Sequence, residues 1–257
     1  MQCYNLEGNR IIFLSEVSST NDYINDHLQE LPNKTCVWAN VQTKGRGRGD
    51  HVWKSRADID LTVSILYKFA KGYSLMALSS LVALAMYNVY KYFGIPTFLK
   101  WTNDVYTLFD NFANADSDFL KNSAKVIDKY IKLSGILIET RVVGELQCAI
   151  IGVGLDNIME QERNLVLSIL LQELDRLIVN FTCNIDKDRH GLSSKLIDNW
   201  LSNCMHYQKK IQILDYATQE LYQGTHTGLT ADGFLLLNGD DNKIHKIYDG
   251  RITHIDF

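Results

Sequence analysis

The sequence predicts an α+β protein: a mixed β-sheet with helices packed on it, followed by a small barrel-like β unit. Three observations carry this. Short runs rich in branched residues alternate like strands, at Cys36–Val41, Ile59–Tyr67 and Leu146–Leu155. Apolar residues recur at helical spacing over Ser74–Phe93 and Leu165–Asn180. After Tyr207 the texture changes to short apolar runs broken by Asp232-Gly233, Asn238-Gly239 and Asp249-Gly250, each reading as a hairpin turn.

In chain order, Ser18, Ser19 and Thr20 precede apolar Tyr23, Ile24 and Leu28, the pattern of an N-capped amphipathic helix. The strand Cys36–Val41 runs into Gln42-Thr-Lys-Gly-Arg-Gly-Arg-Gly49, whose three alternate glycines suit neither a stable helix nor a packed strand and predict a loop. The strand Ile59–Tyr67 and the buried helix Ser74–Phe93 follow. Thr97–Tyr106, Ile131–Glu139 and Leu146–Leu155 read as three further strands. Leu108–Tyr130, dense in Asp, Asn, Ser and Lys, reads as a surface insertion with a short helix near Phe119–Lys129. Two helices, Leu165–Asn180 and Ser193–Met205, complete a first domain over 1–207. Residues 208–257 are too few for a sandwich and suit a small barrel. No internal repeat is evident.

The 257 residues are 46% hydrophobic and 22% charged, an ordinary globular make-up. Lys and Arg number 26 against 30 Asp and Glu, so a net charge of -4 supplies no global attraction to nucleic acid or anionic lipid. Any basic site must be local. The five cysteines are odd in number and scattered, as expected in a reducing compartment. Cys204 and His206 come nearest to a metal pair and read as helix-end residues, with no structural metal expected. No signal peptide or bilayer-length apolar run is seen, which places the chain in the cytoplasm without a membrane partner.

Four clusters could do chemistry. Gly45-Arg46-Gly47-Arg48-Gly49 lets backbone approach a ligand while two guanidinium groups pair with an anion; alone, it reads equally as an exposed Arg/Gly turn. Lys100-Trp-Thr-Asn-Asp104 places charges on an apolar strand, where they need a partner or a ligand, or else marks a solvated strand end. Lys132 leads into a core strand and could snorkel to water. Ile151-Gly-Val-Gly154 permits close approach of a flat ligand, or is a bulge. No phosphate-binding P-loop, complete G-x-G-x-x-G or nucleophile elbow occurs.

Taken together and in this order, Ser19-Thr20-Asn21, Gln42 with Gly45-Arg-Gly-Arg48 and Trp53, Lys100-Trp-Thr-Asn-Asp104, Lys132-Leu-Ser-Gly-Ile-Leu137 and Ile151-Gly-Val-Gly154 closely resemble the biotin-protein ligases. The resemblance implies the biotin/lipoate ligase catalytic fold with an SH3-like C-terminal barrel. It implies an ATP-dependent enzyme that makes biotinyl-5'-AMP and passes biotin to a lysine of the biotin-acceptor (carboxyl carrier) domain of acetyl-CoA carboxylase or a related carboxylase.

By the same resemblance Ser19, Thr20, Asn21 and Gln42 line the biotin pocket, and Gly45, Arg46, Gly47 and Arg48 form the loop that closes over biotin and the adenylate. Trp53, Lys100 and Asn103 belong to the nucleotide side. Lys132 contacts the biotin carboxylate and α-phosphate, and Gly135, Gly152 and Gly154 let the ligand lie flat. Arg48, Lys132 and Asp104 are the expected catalytic groups, with Asp104 orienting or deprotonating the acceptor amine. Mg²⁺ is expected mainly on the ATP phosphates, with Asp104 its candidate protein ligand. Thr102 stands where the family has proline, and Asp156 where it often has asparagine. The alternatives are a lipoate-protein ligase or octanoyl transferase on the same fold, and a biotin-sensing transcriptional regulator. The regulator is disfavoured, because the first motif begins near residue 15 and the net charge is negative. A monomer or weak homodimer is expected.

Overall fold

The computed structural model describes residues 1–49, 51–109, 126–156, 163–183 and 191–257. They divide into two compact units, Met1–Tyr73 with Lys132–Arg176, and Ser74–Ile131 with Leu177–Phe257.

The first unit opens with a hairpin that the sequence reading did not anticipate. Strands β1 (Gln2–Leu6) and β2 (Asn9–Val17) pair antiparallel about Glu7-Gly8, both at positive φ, as a two-residue hairpin turn demands. Helix α1 (Thr20–Asp26) follows, with Ser19 as its N-cap accepting the Asp22 N–H. It carries the chain over to β3 (Thr35–Gln42), which runs parallel to β2. Strands β4 (Leu61–Ala70), β8 (Tyr130–Val143) and β9 (Leu146–Leu155) continue the sheet antiparallel, in the order β1-β2-β3-β4-β9-β8. The sheet is therefore mixed, as expected. Ile24 and Leu28 of the α1 segment pack with Leu31 against Ile12, Val37, Leu66 and Ile150, which holds the C-terminal half of α1 and the residues after it on the sheet. Helix α3 (Arg163–Cys183) is anchored from Asp175, which accepts hydrogen bonds from Lys34 (2.8 Å) and the Tyr67 hydroxyl (2.7 Å).

In the second unit, α2 (Leu78–Tyr92), entered through a 3₁₀ turn at Leu75–Ala77, is buried along most of its length. The predicted single strand Thr97–Tyr106 is instead a hairpin of β5 (Phe98–Lys100) and β6 (Asp104–Leu108), with Trp101-Thr-Asn103 at its bend. Trp101 anchors the bend by donating from its indole to the Gly233 carbonyl at 3.0 Å. Of the predicted insertion, residues 110–125 lie outside the described residues. The described end is a short hairpin, β7 (Val126–Ile127) against Tyr130–Ile131, so no helix reaches Lys129. Helix α4 (Ser194–Ser202) precedes the C-terminal strands.

These are β10 (Lys210–Asp215), β11 (Leu221–Leu229), β12 (Leu235–Gly239), β13 (Ile244–Ile247) and β14 (Gly250–Ile255), in the order β13-β12-β11-β10-β14. The expected SH3-like barrel is not formed. A barrel requires a hydrogen-bonded ladder between its edge strands. Here β13 and β14 are the edges, β13 is only four residues long, and the sheet stays open. The turn at Asp232-Gly233 falls where expected, whereas Asn238-Gly239 continues β12 with the chain reversing over 240–243, and Asp249-Gly250 is no hairpin turn, because Gly250 opens β14 and β13 and β14 do not pair. Among the described residues, no helix is long and apolar enough to cross a membrane.

Candidate functional site

Strand register builds the floor of the site. Across the sheet, Ser64, Gly152 and Leu137 stand in one row, and Thr62, Gly154 and Gly135 in the next but one. Residues two apart along a strand share a face, so the three glycines open one patch of bare backbone. A Cβ at Gly152 would stand 2.5 Å from Asn21 Oδ1, and one at Gly154 would fall inside the Trp53 indole. A Cβ at Gly135 would meet Lys132 Nζ at 2.9 Å and the Trp53 ring at 3.0 Å. Asn21 thus covers one end of the patch, while Trp53 and Lys132 cover the other.

Around Asn21 runs a buried polar chain. Glu139 can only accept, so Asn21 presents its NH₂ to Glu139 Oε2 (2.8 Å) and its carbonyl to the Ser64 hydroxyl, which donates at 2.5 Å. Thr20 Oγ1 lies 2.6 Å from Ser64 Oγ and 3.1 Å from Gln42 Oε1, and the Thr20 N–H also donates to Gln42 Oε1 at 2.7 Å. Ser19, Thr20, Asn21 and Ser64 are all buried. The helical turn after Ser19 is what aims Thr20 and Asn21 into the sheet.

The glycine segment is more ordered than a loop. Trp53 N–H donates to the Gly45 carbonyl (3.0 Å), Gly47 N–H to that of His51 (2.6 Å), and Arg46 bridges to Val52. Gly45 is required here, since a Cβ would run into the Trp53 carbonyl. Arg46 reaches back to Asp22 (2.6 Å) and Glu139 (2.9 Å), tying this hairpin to the polar chain. Burial alone would raise the Glu139 carboxyl. Hydrogen bonds from Asn21 and Arg46, with the charges of Arg46 and Arg141, outweigh it and hold Glu139 below the usual carboxylate range. Arg48 is half-buried. Lys132, though cationic, is only 7% exposed, with its Nζ 5.8 Å from the Trp53 ring centre.

Of the expected site residues, the first unit gathers Ser19, Thr20, Asn21, Gln42, Gly45, Arg46, Trp53, Lys132, Gly135, Gly152 and Gly154 into one network. Lys100, Asn103 and Asp104 belong to the second unit, where one hairpin holds all three and Lys100 pairs with Asp104 across it. A family model described as the biotin/lipoate A/B protein ligase family matches residues 13–156, more than half of the chain. The chain belongs to that family.

Among curated relatives of this biotin/lipoate ligase-family chain, "Biotin--protein ligase 1, chloroplastic" of Arabidopsis thaliana is 23% identical over 271 residues, covering 94% of this chain and 65% of that protein. "Bifunctional ligase/repressor BirA" of Escherichia coli is 28% identical over 198 residues, covering 75% and 52%. The chain thus spans less than two thirds of the length of either. A solved structure, "Biotin protein ligase from Aquifex aeolicus in complex with biotin and ATP", superposes with a TM-score of 0.65 at 22% identity over 95% of this chain and 97% of that one, which shows the shared fold.

Three residues of the network escaped the sequence reading: Asp22, Ser64 and Glu139. Ser64 had a legible signal, a hydroxyl amid the apolar run Leu61-Thr-Val-Ser-Ile-Leu-Tyr67. Asp22 and Glu139 had none, because their partners, Arg46 for both and Asn21 for Glu139, are brought to them only by the fold.

Proposed function

We propose that this chain is a biotin-protein ligase, forming biotinyl-5'-AMP from biotin and ATP and transferring biotin to a lysine of a carboxylase's biotin-acceptor domain. The observation that carries this reading is the polar chain Gln42–Thr20–Ser64–Asn21–Glu139, buried at its centre, at one end of a glycine floor whose other end holds a buried lysine. A ureido ring offers two N–H donors and one carbonyl, the complement of such a chain. A dithiolane ring offers neither, so lipoate would leave these groups without new partners.

In the first half-reaction a biotin carboxylate oxygen bonds to the α-phosphorus of ATP and pyrophosphate leaves. Two anions must meet, and the Lys132 ammonium with the Arg48 guanidinium supplies positive charge where it is needed. Magnesium, carried with the phosphates, supplies charge neutralisation when bound. Asp104, a half-buried carboxylate opening β6, is an oxygen donor of the kind it takes. The mixed anhydride then needs shelter from water, a task suited to the paired segments 45–49 and 51–53, tethered by Arg46. In the second half-reaction the acceptor amine bonds to the acyl carbon and AMP leaves. The proton that the amine must lose goes to a base, for which Asp104 is the candidate.

The family model also covers lipoate ligases, so the test sets the two acids side by side. Incubation with ATP, Mg²⁺ and either biotin or lipoate, followed by mass spectrometry, should give biotinyl-adenylate alone. Lipoyl-adenylate as the main product would replace this reading with the lipoate one. Lys132→Ala and Arg48→Ala should each lower biotinyl-adenylate formation at least about a hundredfold. Wild-type yield from either would remove that residue from the chemistry.

A further inference from the structure

Within the second unit, on the far side of the β5 segment that carries Lys100, three side chains with metal-binding atoms converge. The segment Asn203–His206 is stitched to β5: Leu99 N–H donates to the Asn203 carbonyl (2.8 Å) and Met205 N–H to that of Leu99 (3.0 Å). His226 on β11 is pinned from both directions, its N–H donating to the Lys209 carbonyl (3.0 Å) and its carbonyl accepting from Gln208 (2.9 Å). These backbone ladders bring one donor atom each of Cys204, His206 and His226 within 4.8 Å of one another. Two ligands at a tetrahedral angle about a zinc ion, with bonds of about 2.1 and 2.3 Å, stand roughly 3.6 Å apart, within that compass.

Two further observations point to a ligand. Both imidazoles are completely enclosed, and Nδ1 of each is a buried polar atom with no hydrogen-bond partner. Such an atom costs about 1–3 kcal/mol unless something engages it. The second is the way each Nε2 is held. His226 Nε2 lies 3.1 Å from the Gly228 carbonyl, so it carries the proton and Nδ1 presents a bare lone pair, the orientation that a metal-ligating histidine takes from its outer partner. His206 Nε2 accepts the Trp101 N–H at 3.0 Å, so the neutral His206 ring carries its proton on Nδ1.

We propose that Cys204 Sγ and His226 Nδ1, with His206 beside them, form a binding site for one thiophilic transition-metal ion of the Cu⁺ or Zn²⁺ class. Loading forms a metal–sulfur and a metal–nitrogen bond and releases the Cys204 proton to solvent. Soft thiolate selects these ions over Mg²⁺. The histidine tautomers separate the two. With His206 Nδ1 protonated, a two-ligand N,S set remains, which Cu⁺ accepts. Zn²⁺ requires His206 as well, whose proton must then move from Nδ1 to Nε2 with loss of the Trp101 N–H bond.

The experiment titrates the reduced full-length protein with Cu⁺ and with Zn²⁺ separately, each against a chromophoric chelator, and follows alkylation of each cysteine by mass spectrometry. At least one ion should bind at one equivalent and slow alkylation of Cys204 while leaving Cys3 unchanged. Cys204→Ser and His226→Gln should each weaken binding about a hundredfold. His206→Gln should abolish only the zinc mode. Stoichiometric binding by neither ion, or bound metal that leaves Cys204 unprotected, would overturn the proposal. The protection readout needs no variant, so it decides the matter even if a substituted core histidine fails to fold.

Discussion

Ser64 occupies a buried position in the middle of an apolar strand, and its hydroxyl joins the Thr20 and Asn21 halves of the polar chain. Replacing it by alanine removes a donor from Asn21 and a partner from Thr20, each buried, at about 1–3 kcal/mol per orphaned group. Ser64→Ala should therefore weaken biotin binding at least about tenfold, and calorimetry should find ATP affinity unchanged. Equal losses for both ligands would show that the chain does not serve biotin alone. Gly154 makes a different demand. With the Trp53 indole lying where its Cβ would be, Gly154→Ala must push the ring away, and both ligands should bind at least about tenfold more weakly. At this scale the motifs were readable because each residue type carries its chemistry wherever it is placed. The partners of Arg46 were not, since Asp22 and Glu139 stand 24 and 93 residues from it.

In the proposed reaction, the paired segments 45–49 and 51–53 are the element assigned to shelter the adenylate. Its latch is the Arg46 ion pair with Asp22 and Glu139, partly exposed and so modest in energy, but placed at the hairpin's free side. Arg46→Ala should leave adenylate formation measurable while biotinyl-adenylate escapes into solution faster, as a trapping assay would detect. Escape at the wild-type rate would remove the latch role. The pH dependence follows from Glu139. Its carboxyl is held below the usual range, so the latch is intact above that range and is lost as pH falls through the depressed value. Hydrogen exchange at Gly47 and Trp53 should accelerate only in that acid window, and Glu139→Gln should remove the pH dependence. Sequence reading assigned this stretch to a loop because alternate glycines rule out ordinary strands. The cross-hairpin bonds are a tertiary product, formed because Gly45 lets the Trp53 backbone come close.

Across the whole molecule, α3 is held to the first unit by Asp175, which serves Lys34 and the buried Tyr67 hydroxyl together. Asp175→Ala leaves that phenol unpaired and should cost about 1–3 kcal/mol, an apparent Tm loss of several degrees by scanning calorimetry. Tyr67→Phe in the same background should restore part of it, because an absent hydroxyl has nothing to lose. The sequence by itself determined the class of the fold, the succession of most elements and the family motifs, since period, turn chemistry and motif spacing are local properties of the chain. Tertiary structure alone decided that the C-terminal strands stay an open sheet, that the K-W-T-N-D string bends into a hairpin, and that His226 comes to stand beside Cys204 and His206. Each of these depends on which distant backbone groups find one another, and hydrogen-bond pairing between remote segments leaves no periodic trace in the order of residues.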